Sequence, residues 1–314
     1  MITAQFNSDS GGRFARTMWC AVGLVLFSVL AIVPLVAQAQ ALSAADILRE
    51  IDARGGITGL GNQVAFLSFT VQDKNGSLQE SSFVSFGKTS ADPQAPDSVL
   101  IYFLAPPPET CGTVFLTIDR KVSGQAAELY LYLPALDKTK QLVTSGERKG
   151  SFAGSNIQFD QVGRSELSSL FNAELVSETT LSVAVDGVAQ KRRVYVLHLV
   201  ANLQTNANES FPERTMWVDA EQFLVLASES TNTVGKLQTI MRANGLVTSE
   251  GRLEYAVMTV SNVLDKSLTT VTITDREDVG ELPDSLFDPA LLPQFDARQF
   301  NDRLQVKVPD PICP

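Results

Sequence analysis

The chain has 314 residues, a formal net charge of −10, 44% hydrophobic and 19% charged residues, one His and three Cys. An acidic chain without a basic block is not expected to bind nucleic acid, because phosphates require clustered lysine and arginine side chains. One histidine argues against a histidine-based metal cluster. The apolar content is high enough to build a sizeable core, which excludes a chain that is disordered by composition.

The amino terminus has the pattern of an export signal. Residues 18–36 contain no charged side chain and follow Arg13 and Arg16. Two small-x-small cleavage candidates, ending at Ala39 and Ala41, come next. We predict cleavage near Ala39 or Ala41 and a chain exported to the periplasm. The alternative is an uncleaved anchor in the inner membrane, since about 20 apolar residues can span a bilayer.

The first element after the signal is a predicted helix. Ser43 and Asp46 resemble a capping box, apolar residues recur at helical spacing between Ile47 and Ile51, and Gly55 ends the element. The pattern changes to a period of two after residue 61, which is typical of strands.

A series of short strands fills the rest of the chain. The predicted strands are residues 64–71, 83–86, 98–104, 114–118, 129–133, 180–185, 194–200, 215–218, 223–227, 237–241, 253–260 and 269–273. The dipeptides Asn75-Gly76 and Asp186-Gly187 predict type I′ hairpin turns, in which both central residues have positive φ. Neighbouring strands are therefore expected to be antiparallel.

The fold class follows from this order of elements. We predict a mainly β fold with a few helices, in which a single large curved antiparallel sheet forms an open or half barrel. Helices and a loop lid are expected to cover part of its concave face. No linker or repeat divides the chain after the signal, so the predicted division is a signal peptide at residues 1–39, a β domain at residues 40–295 and a carboxyl-terminal tail at residues 296–314.

One predicted strand, residues 98–104, is apolar on both faces and needs a cover on each side. The candidates are the first helix and the irregular stretch at residues 150–172, in which residues 165–171 are predicted to form a short helix.

No motif for catalysis or cofactor binding is present. The chain lacks a Gly-x-Ser-x-Gly elbow, a Cys-x-x-Cys pair, a His-Glu-x-x-His helix and a phosphate loop. His198 lies within a predicted strand and has no partner that the sequence identifies, so we interpret it as structural. We therefore predict no catalytic residue, no cofactor and no metal site.

Two cysteines remain once a signal peptide is removed, Cys111 and Cys313. In an oxidising compartment such a pair favours a disulfide that fastens the carboxyl terminus to an internal strand. The alternative is one buried cysteine and one free cysteine near the end of the chain.

Four segments carry a resemblance to a known family. They are Leu-Tyr-Leu-Tyr-Leu-Pro-Ala-Leu at 129–136 before Gly-Ser-Phe-Ala-Gly-Ser-Asn at 150–156, Phe-Leu-Ala-Pro-Pro at 103–107 before Gly-Thr-Val-Phe-Leu at 112–116, Thr-Met-Trp-Val-Asp at 215–219, and Glu-Leu-Pro-Asp-Ser-Leu-Phe at 281–287. Their order and spacing resemble the outer-membrane lipoprotein-sorting protein family, relatives of the periplasmic lipoprotein carrier. The resemblance extends over residues 44–292.

The resemblance implies an open β barrel whose concave face shelters the acyl chains of a lipid or lipoprotein. For the cavity wall we predict Val99, Ile101 and Phe103 on one strand and Leu129 and Leu131 on a neighbouring strand. Period two places each set on one face of the sheet but leaves open which face is concave.

Transfer of a sheltered acyl chain also requires a lid. The predicted lid lies within residues 150–160, with Gly150 and Gly154 as hinges and Phe152 and Phe159 as plugs.

Three functions are compatible with the sequence. The leading hypothesis is a non-catalytic periplasmic carrier that passes acyl-chain cargo between an inner-membrane transporter and an outer-membrane acceptor. The alternative is an interaction module that docks on an envelope transporter or assembly machine without lipid cargo. A hydrolase that uses His198 is the weakest of the three, because no activated nucleophile is recognisable.

Overall fold

The computed structural model describes residues 42–55, 62–90, 92, 95–104, 110–120, 126–162, 166–204 and 209–309. The predicted signal segment and Cys313 lie outside these residues. Within the described part of the chain, no helix is both long and apolar enough to cross a membrane.

The helices are few and short. They comprise α1 (Ala44–Arg54), α2 (Ser145–Arg148) and 3₁₀ turns at Pro134–Leu136, Phe152–Gly154, Phe159–Gln161, Asp284–Phe287, Pro289–Gln294 and Ala297–Phe300. The predicted start and end of α1 are confirmed. Ser43 Oγ accepts a hydrogen bond from Asp46 N–H at 3.1 Å, and Asp46 Oδ2 accepts one from Ser43 N–H at 3.0 Å. Gly55 ends the helix with φ 94°, a conformation that glycine adopts without steric cost.

Thirteen strands of the described residues form one sheet. They are β1 (Gln63–Gln72), β2 (Leu78–Lys88), β3 (Asp97–Phe103), β4 (Val114–Asp119), β5 (Glu128–Leu133), β6 (Lys138–Gln141), β7 (Phe171–Val185), β8 (Val188–Ala201), β9 (Glu213–Asp219), β10 (Val225–Thr231), β11 (Leu237–Ser249), β12 (Arg252–Asn262) and β13 (Ser267–Asp278).

The sheet consists of two antiparallel meanders joined side by side. Strands β1 to β6 pair consecutively, and so do β7 to β13. The first and last strands join the two meanders, because β1 pairs antiparallel with β13. Within the second meander the sheet curls back, so that Val185 of β7 meets Leu246 of β11 in the one parallel pairing of the described strands. The predicted fold class, a mainly β half barrel that is not closed, is confirmed.

Several local predictions differ from the structure. β6, Lys-Thr-Lys-Gln, is a strand that its polar sequence does not indicate, and β7 begins at Phe171 although its first half is mostly exposed. Both strands gain order from pairing with a neighbour, which period-two burial does not reveal. The short helix predicted at residues 165–171 is wrong, since residues 166–170 form turns before β7.

The two predicted hairpin turns also differ from each other. Asp186 and Gly187 both have positive φ, 50° and 76°, as a type I′ turn requires. In the other turn Gly76 has positive φ, 84°, and Asn75 does not, so the type I′ prediction fails there. The Asp73 carboxylate shapes this turn instead, accepting N–H groups from Asn75 at 2.8 Å and Ser77 at 2.9 Å.

The outer face of β1 to β5 is covered by the carboxyl-terminal segment. Its buried side chains pack against Phe86, Leu100 and Tyr102, and they are Leu282, Leu286, Phe287, Leu292, Ala297, Phe300, Leu304 and Val308. The sequence suggested α1 as a candidate cover for one side of β3, but α1 does not cover this strand. It packs on the other half of the sheet, where its apolar face meets the buried side chains of β8 and β9.

The connection between the two meanders decides the architecture of the inner face. β6 is the edge strand of the first meander, whereas β7, which follows it in the chain, lies in the second meander between β8 and β11. Residues 142–170, here called the crossing segment, must therefore pass from one side of the sheet to the other. The buried side chains of this segment at Leu142, Phe152 and Val162 pack on the inner face, opposite the carboxyl-terminal segment.

Candidate binding cavity

A cavity of about 190 Å³ lies between the inner face of the sheet and the crossing segment. Its apolar wall combines strands from both meanders, with Leu67, Phe69, Val99, Ile101, Met216, Met241, Met258, Val260, Val271 and Ile273. The crossing segment contributes Phe152, Ile157, Val162 and Leu167 from the opposite side, and α1 contributes Ile51.

Small side chains create the space. Ala65, Ser85 and Gly87 occupy inner positions on β1 and β2, and Ser228 and Ser230 do so on β10. Because these side chains are short, the sheet and the crossing segment do not fill the gap between them. The cavity therefore exists because the sequence has short side chains at these positions.

Phe152, the predicted plug, is one of the residues that line the cavity. Its side chain is 1% exposed, and its ring lies 5.4 Å from the ring centroids of Phe103 and Phe115 and 5.7 Å from that of Phe83. Phe159 joins the same cluster, 5.7 Å from Phe152. Aromatic contacts at these distances hold the crossing segment against the sheet.

The loop that carries Phe152 is closed on itself. Ser151 pairs with Gln158 in an isolated bridge, and Phe152 N–H donates to Ile157 O at 2.8 Å. Gly154 turns the chain with φ +72°. The loop therefore has its own internal hydrogen bonds, separate from those that join it to the sheet.

Asn156 fastens this loop to the far side of the sheet. Its backbone N–H donates to Thr269 Oγ1 at 2.9 Å, and its Nδ2 donates to Val260 O at 2.9 Å. Its Oδ1 accepts a hydrogen bond from Ser267 Oγ at 2.8 Å. Thr269 is fully buried, while Asn156 and Ser267 are half-buried. Asn156 therefore acts as the latch of the loop.

A second fastening lies at the other end of the crossing segment. Asp52 of α1 accepts the N–H groups of Leu167 at 2.6 Å and Ser168 at 2.9 Å. Burial raises the pKa of the Asp52 carboxyl, while the hydrogen bonds from Ser168 oppose the shift. Arg54 at the end of the same helix donates to the carbonyl oxygens of Gln222 at 2.7 Å and of Leu253. The helix thus links the crossing segment to the second meander.

Two arginine–glutamate pairs flank the cavity. Arg214 Nη2 lies 2.9 Å from Glu209 Oε1, and both side chains are largely buried. The Arg214 guanidinium also lies over the ring of Phe171, 4.7 Å from its centroid. Arg276 pairs with Glu254 through Nη1, and its buried Nε has no hydrogen-bond partner. The cavity is therefore apolar in its wall and polar at its ends.

The structure places the predicted wall residues on the inner face. Val99 and Ile101 line the cavity. Phe103, Leu129 and Leu131 are not among the residues that line it: Phe103 and Leu129 are buried in the adjoining inner cluster, and Leu131 packs against that cluster. The inner, concave face is thus the one that carries these five side chains.

The predicted lid residues fall on the crossing segment. Phe152 and Phe159 point into the inner cluster, and Gly154 has a left-handed backbone. Glycine is needed at position 150 for space rather than for a special backbone conformation. A Cβ there would lie 3.0 Å from Glu147 O and 3.3 Å from Phe159 Cδ2. A side chain at Gly150 would push Phe159 away.

Several residues of the cavity wall, and two residues outside it that fasten the crossing segment, were not identified from the sequence. Asn156 and Asp52 look like ordinary polar positions until their partners, more than 100 residues away, are known. Met258, Val260, Val271 and Ile273 were predicted as strand residues but not as part of the wall. The sequence of one strand does not indicate which distant strands contribute side chains to the same cavity.

The remaining predicted residues lie apart from the cavity wall. Cys111 is buried and disulfide-bonded, while Cys313 lies outside the described residues, so the pairing of the two stays a prediction. His198 sits within β8, paired in register with Glu174 and Thr215.

Solved structures with this fold are known. A DUF1329 family protein from Desulfovibrio piger matches with a TM-score of 0.69 and 17% identity over 79% of this chain and 97% of that chain. A protein described as an outer membrane lipoprotein-sorting domain, from Vibrio parahaemolyticus, matches with a TM-score of 0.68 and 19% identity over 80% of this chain and 98% of that chain. A LolA superfamily protein from Nitrosomonas europaea matches with a TM-score of 0.58 and 15% identity over 79% of this chain and 98% of that chain. No curated protein matches the chain by sequence.

The half barrel is therefore the fold of these structures, among them a lipoprotein-sorting domain and a LolA superfamily protein, which confirms the resemblance at the level of the fold. The family model described as "Uncharacterized protein" matches residues 96–294. Because this match covers more than half of the chain, the protein belongs to that family.

Proposed function

We propose that the protein is a non-catalytic periplasmic carrier that holds acyl chains of a lipid or lipoprotein in the inner cavity. The observation that carries the proposal is an apolar cavity on the concave face of the sheet, closed by Phe152 of the crossing segment. Burial of an acyl chain in such a wall contributes about 0.8 kcal/mol per CH₂ group. The fold of lipoprotein-sorting domains supports the same role.

The size of the cavity determines how cargo enters. At about 190 Å³ it is smaller than typical ligand pockets of roughly 300–1,000 Å³. An acyl chain of a membrane lipid therefore requires the Phe152 ring to leave the inner cluster. The closed loop at residues 151–158 provides a unit that can lift together with its plug.

Release and loading then involve partners in the envelope. We infer an inner-membrane transporter as the donor and an outer-membrane acceptor as the recipient. Export by the predicted amino-terminal signal would place the chain between them.

The first test is native mass spectrometry of protein purified without detergent from its own periplasm. A carrier shows additional mass that disappears on denaturation and fragments into acyl chains. Bare protein in repeated preparations contradicts the proposal and favours the alternative, a module that docks on an envelope machine without lipid.

A variant pair sharpens the test. Phe152→Ala removes the plug and is expected to raise the affinity for a fluorescent fatty-acid probe. Phe300→Ala is the matched control, because it removes a ring of similar burial from the outer face, where it packs 4.8 Å from Phe86. An equal effect of both variants on probe binding, or no binding by any of them, would sink the carrier role.

A further inference from the structure

The sheet is split between the ends of β12 and β13 that lie away from their shared turn. The two strands pair from Asn262 with Ser267 as far as Val257 with Thr272. Beyond that point residues 252–255 of β12 pair with β11, and residues 275–278 of β13 pair with β1. No backbone pairing of the described residues joins these two strand ends. A link between them therefore requires side chains.

Arg276 bridges the split with an ion pair. Its Nη1 contacts Oε2 of Glu254, and each of the two side chains is only 18% exposed. Arg276 also lines the cavity. The residues next to it in register, Ala65 on β1 and Ser85 on β2, line the cavity as well and have short side chains. Arg276 therefore forms a polar end of the cavity beside small neighbours.

One hydrogen-bond donor of Arg276 is unused. Its Nε is buried and has no hydrogen-bond partner among the described residues. The other arginine of the cavity differs, because Arg214 Nε donates to Phe211 O at 3.4 Å. Buried donors in native proteins nearly always have an acceptor, since an unmet donor keeps the cost of losing its water. The free Nε–H of Arg276 is thus a place where a ligand in the cavity can accept a hydrogen bond.

The charges around the split decide which acceptor fits. Glu254 already balances the charge of Arg276. The two strand ends, together with Arg54, which donates to Leu253 O, carry more anions than cations. The charged side chains are Arg54, Arg252 and Arg276, and Glu254, Asp275, Glu277 and Asp278. No excess of positive charge is therefore present to hold a carboxylate or phosphate away from water. An uncharged carbonyl oxygen accepts the same hydrogen bond without adding a charge.

The apolar wall continues from Arg276 along its own strand, where Ile273 and Val271 line the cavity. We propose that Arg276 donates its Nε–H to the carbonyl oxygen of a neutral acyl ester whose hydrocarbon chain lies along this wall. The ligand class is an acyl ester of glycerol, from a glycerolipid or from an acylated protein, rather than a free fatty acid. The inference deepens the carrier function and rests on it.

The test compares ligands that share one saturated chain. They are monolauroylglycerol, the corresponding monododecyl glyceryl ether, which lacks the carbonyl oxygen, and lauric acid, which is anionic at neutral pH. Each is used below its micelle concentration to displace a fluorescent acyl probe from the full chain. A peptide that carries a dilauroylglyceryl group is the fourth ligand, and it distinguishes an acylated protein from a glycerolipid as the source of the ester.

Two double variants isolate the Nε–H donor. One combines Arg276→Met with Glu254→Gln, which removes the donor without leaving an unpaired carboxylate. The control combines Arg242→Met with Glu229→Gln, which removes an ion pair of 3.2 Å between β11 and β10. Neither Arg242 nor Glu229 is among the lining residues of the cavity.

The wild-type chain and the control are expected to bind the ester about tenfold more tightly than the ether. The Arg276→Met/Glu254→Gln variant is expected to bind the two about equally. Infrared spectroscopy of an ester with an isotope-labelled carbonyl reports the hydrogen bond directly. Its carbonyl stretch should shift to lower frequency in the wild-type complex, and this shift should be lost in the variant.

Three results would overturn the inference: equal binding of ester and ether by the wild-type chain, tighter binding of lauric acid than of the ester, or a preference for the ester that persists in the Arg276→Met/Glu254→Gln variant. A chain that binds all of the ligands without such a preference rejects the ester subsite alone. A chain that binds none of them rejects the carrier function itself. Displacement by the glyceryl ester or by the acylated peptide supports the ester class, and the more potent of the two identifies the source. Near-ultraviolet circular dichroism of each variant checks that it is folded.

Discussion

Asn156 in the crossing segment and Thr269 in β13 are joined by a hydrogen bond of 2.9 Å, from the backbone N–H of the first to Oγ1 of the second. The two residues are 113 positions apart, and their contact closes the loop of the Phe152 plug onto the second meander. The same loop reaches the first meander through the aromatic cluster of Phe83, Phe103 and Phe115. The plug is thus held from both halves of the sheet.

The latch gives the first prediction. Asn156→Ala removes the side-chain bonds to Val260 O and Ser267 Oγ and is expected to lower the free energy of unfolding by about 1–3 kcal/mol. Because those bonds hold the loop, amide hydrogen exchange of residues 151–158 should accelerate more than that of the strands.

Asn244→Ala is the matched control for the latch. Asn244 is an exposed β11 residue that accepts one hydrogen bond from Thr259 Oγ1. We expect little change in exchange at residues 151–158 in this variant. Equal protection of the loop in Asn156→Ala and the wild-type chain would contradict the latch.

The second prediction concerns the other end of the crossing segment. Asp52→Ala leaves the N–H groups of Leu167 and Ser168 without their acceptor and is expected to cost about 1–3 kcal/mol of unfolding free energy. Urea denaturation measures the loss. Glu50→Ala, an exposed position on the same helix, should change stability by less than about 0.5 kcal/mol; comparable losses in both variants would count against the role of Asp52.

The third prediction is a pH dependence at the start of the crossing segment. Hydrogen bonds from Lys140 and from the backbone and hydroxyl of Thr144 lower the pKa of Glu147 to about 2, from 4.5. Since the folded-state pKa is the lower one, the ionised carboxylate stabilises the fold above pH 4.5, and this contribution is lost as the pH falls from about 4.5 to about 2.

The measurement compares thermal unfolding of the wild-type chain and Glu147→Gln across that pH range. The difference in melting temperature between the two proteins should be largest above pH 4.5 and should shrink as the pH falls toward about 2. Glu250→Gln, in the β11–β12 turn, controls for loss of an exposed carboxylate. A difference that stays constant with pH would argue against an ionised Glu147 as a cap of α2.

The fourth prediction concerns the disulfide of Cys111. If its partner is Cys313, the bridge makes the chain about two mass units lighter, and a digest without reductant contains a peptide that joins the two residues. Reduction is expected to cost up to about 4–5 kcal/mol by chain entropy. A free Cys313 thiol in the exported protein would exclude this pairing.

Much of the fold could be predicted because period-two burial is a local property. The strands of the two meanders, the cap of α1 and the Asp186-Gly187 turn follow from patterns within a few neighbouring residues. The polar strand β6 and the exposed half of β7 could not be predicted, since their order comes from pairing with a neighbour.

The residues of the candidate site also fall into those that could be predicted from the sequence and those that could not. Phe152, Val99 and Ile101, which line the cavity, could be named from patterns that lie close together in the chain. The same patterns named Phe159, Phe103, Leu129 and Leu131, which lie in or against the inner cluster. The latch, the Asp52 contact and the wall of β12 and β13 depend on partners that are far apart in the chain.

The sequence by itself therefore determined the class of the fold, the strands that carry apolar side chains on alternate positions, and the segment that bears the plug. Only the tertiary structure decided which face of the sheet is concave and what covers each side. The reason is physical: alternation states that a strand has two unlike faces, but the curvature of thirteen paired strands and the path of the crossing segment select the inner one.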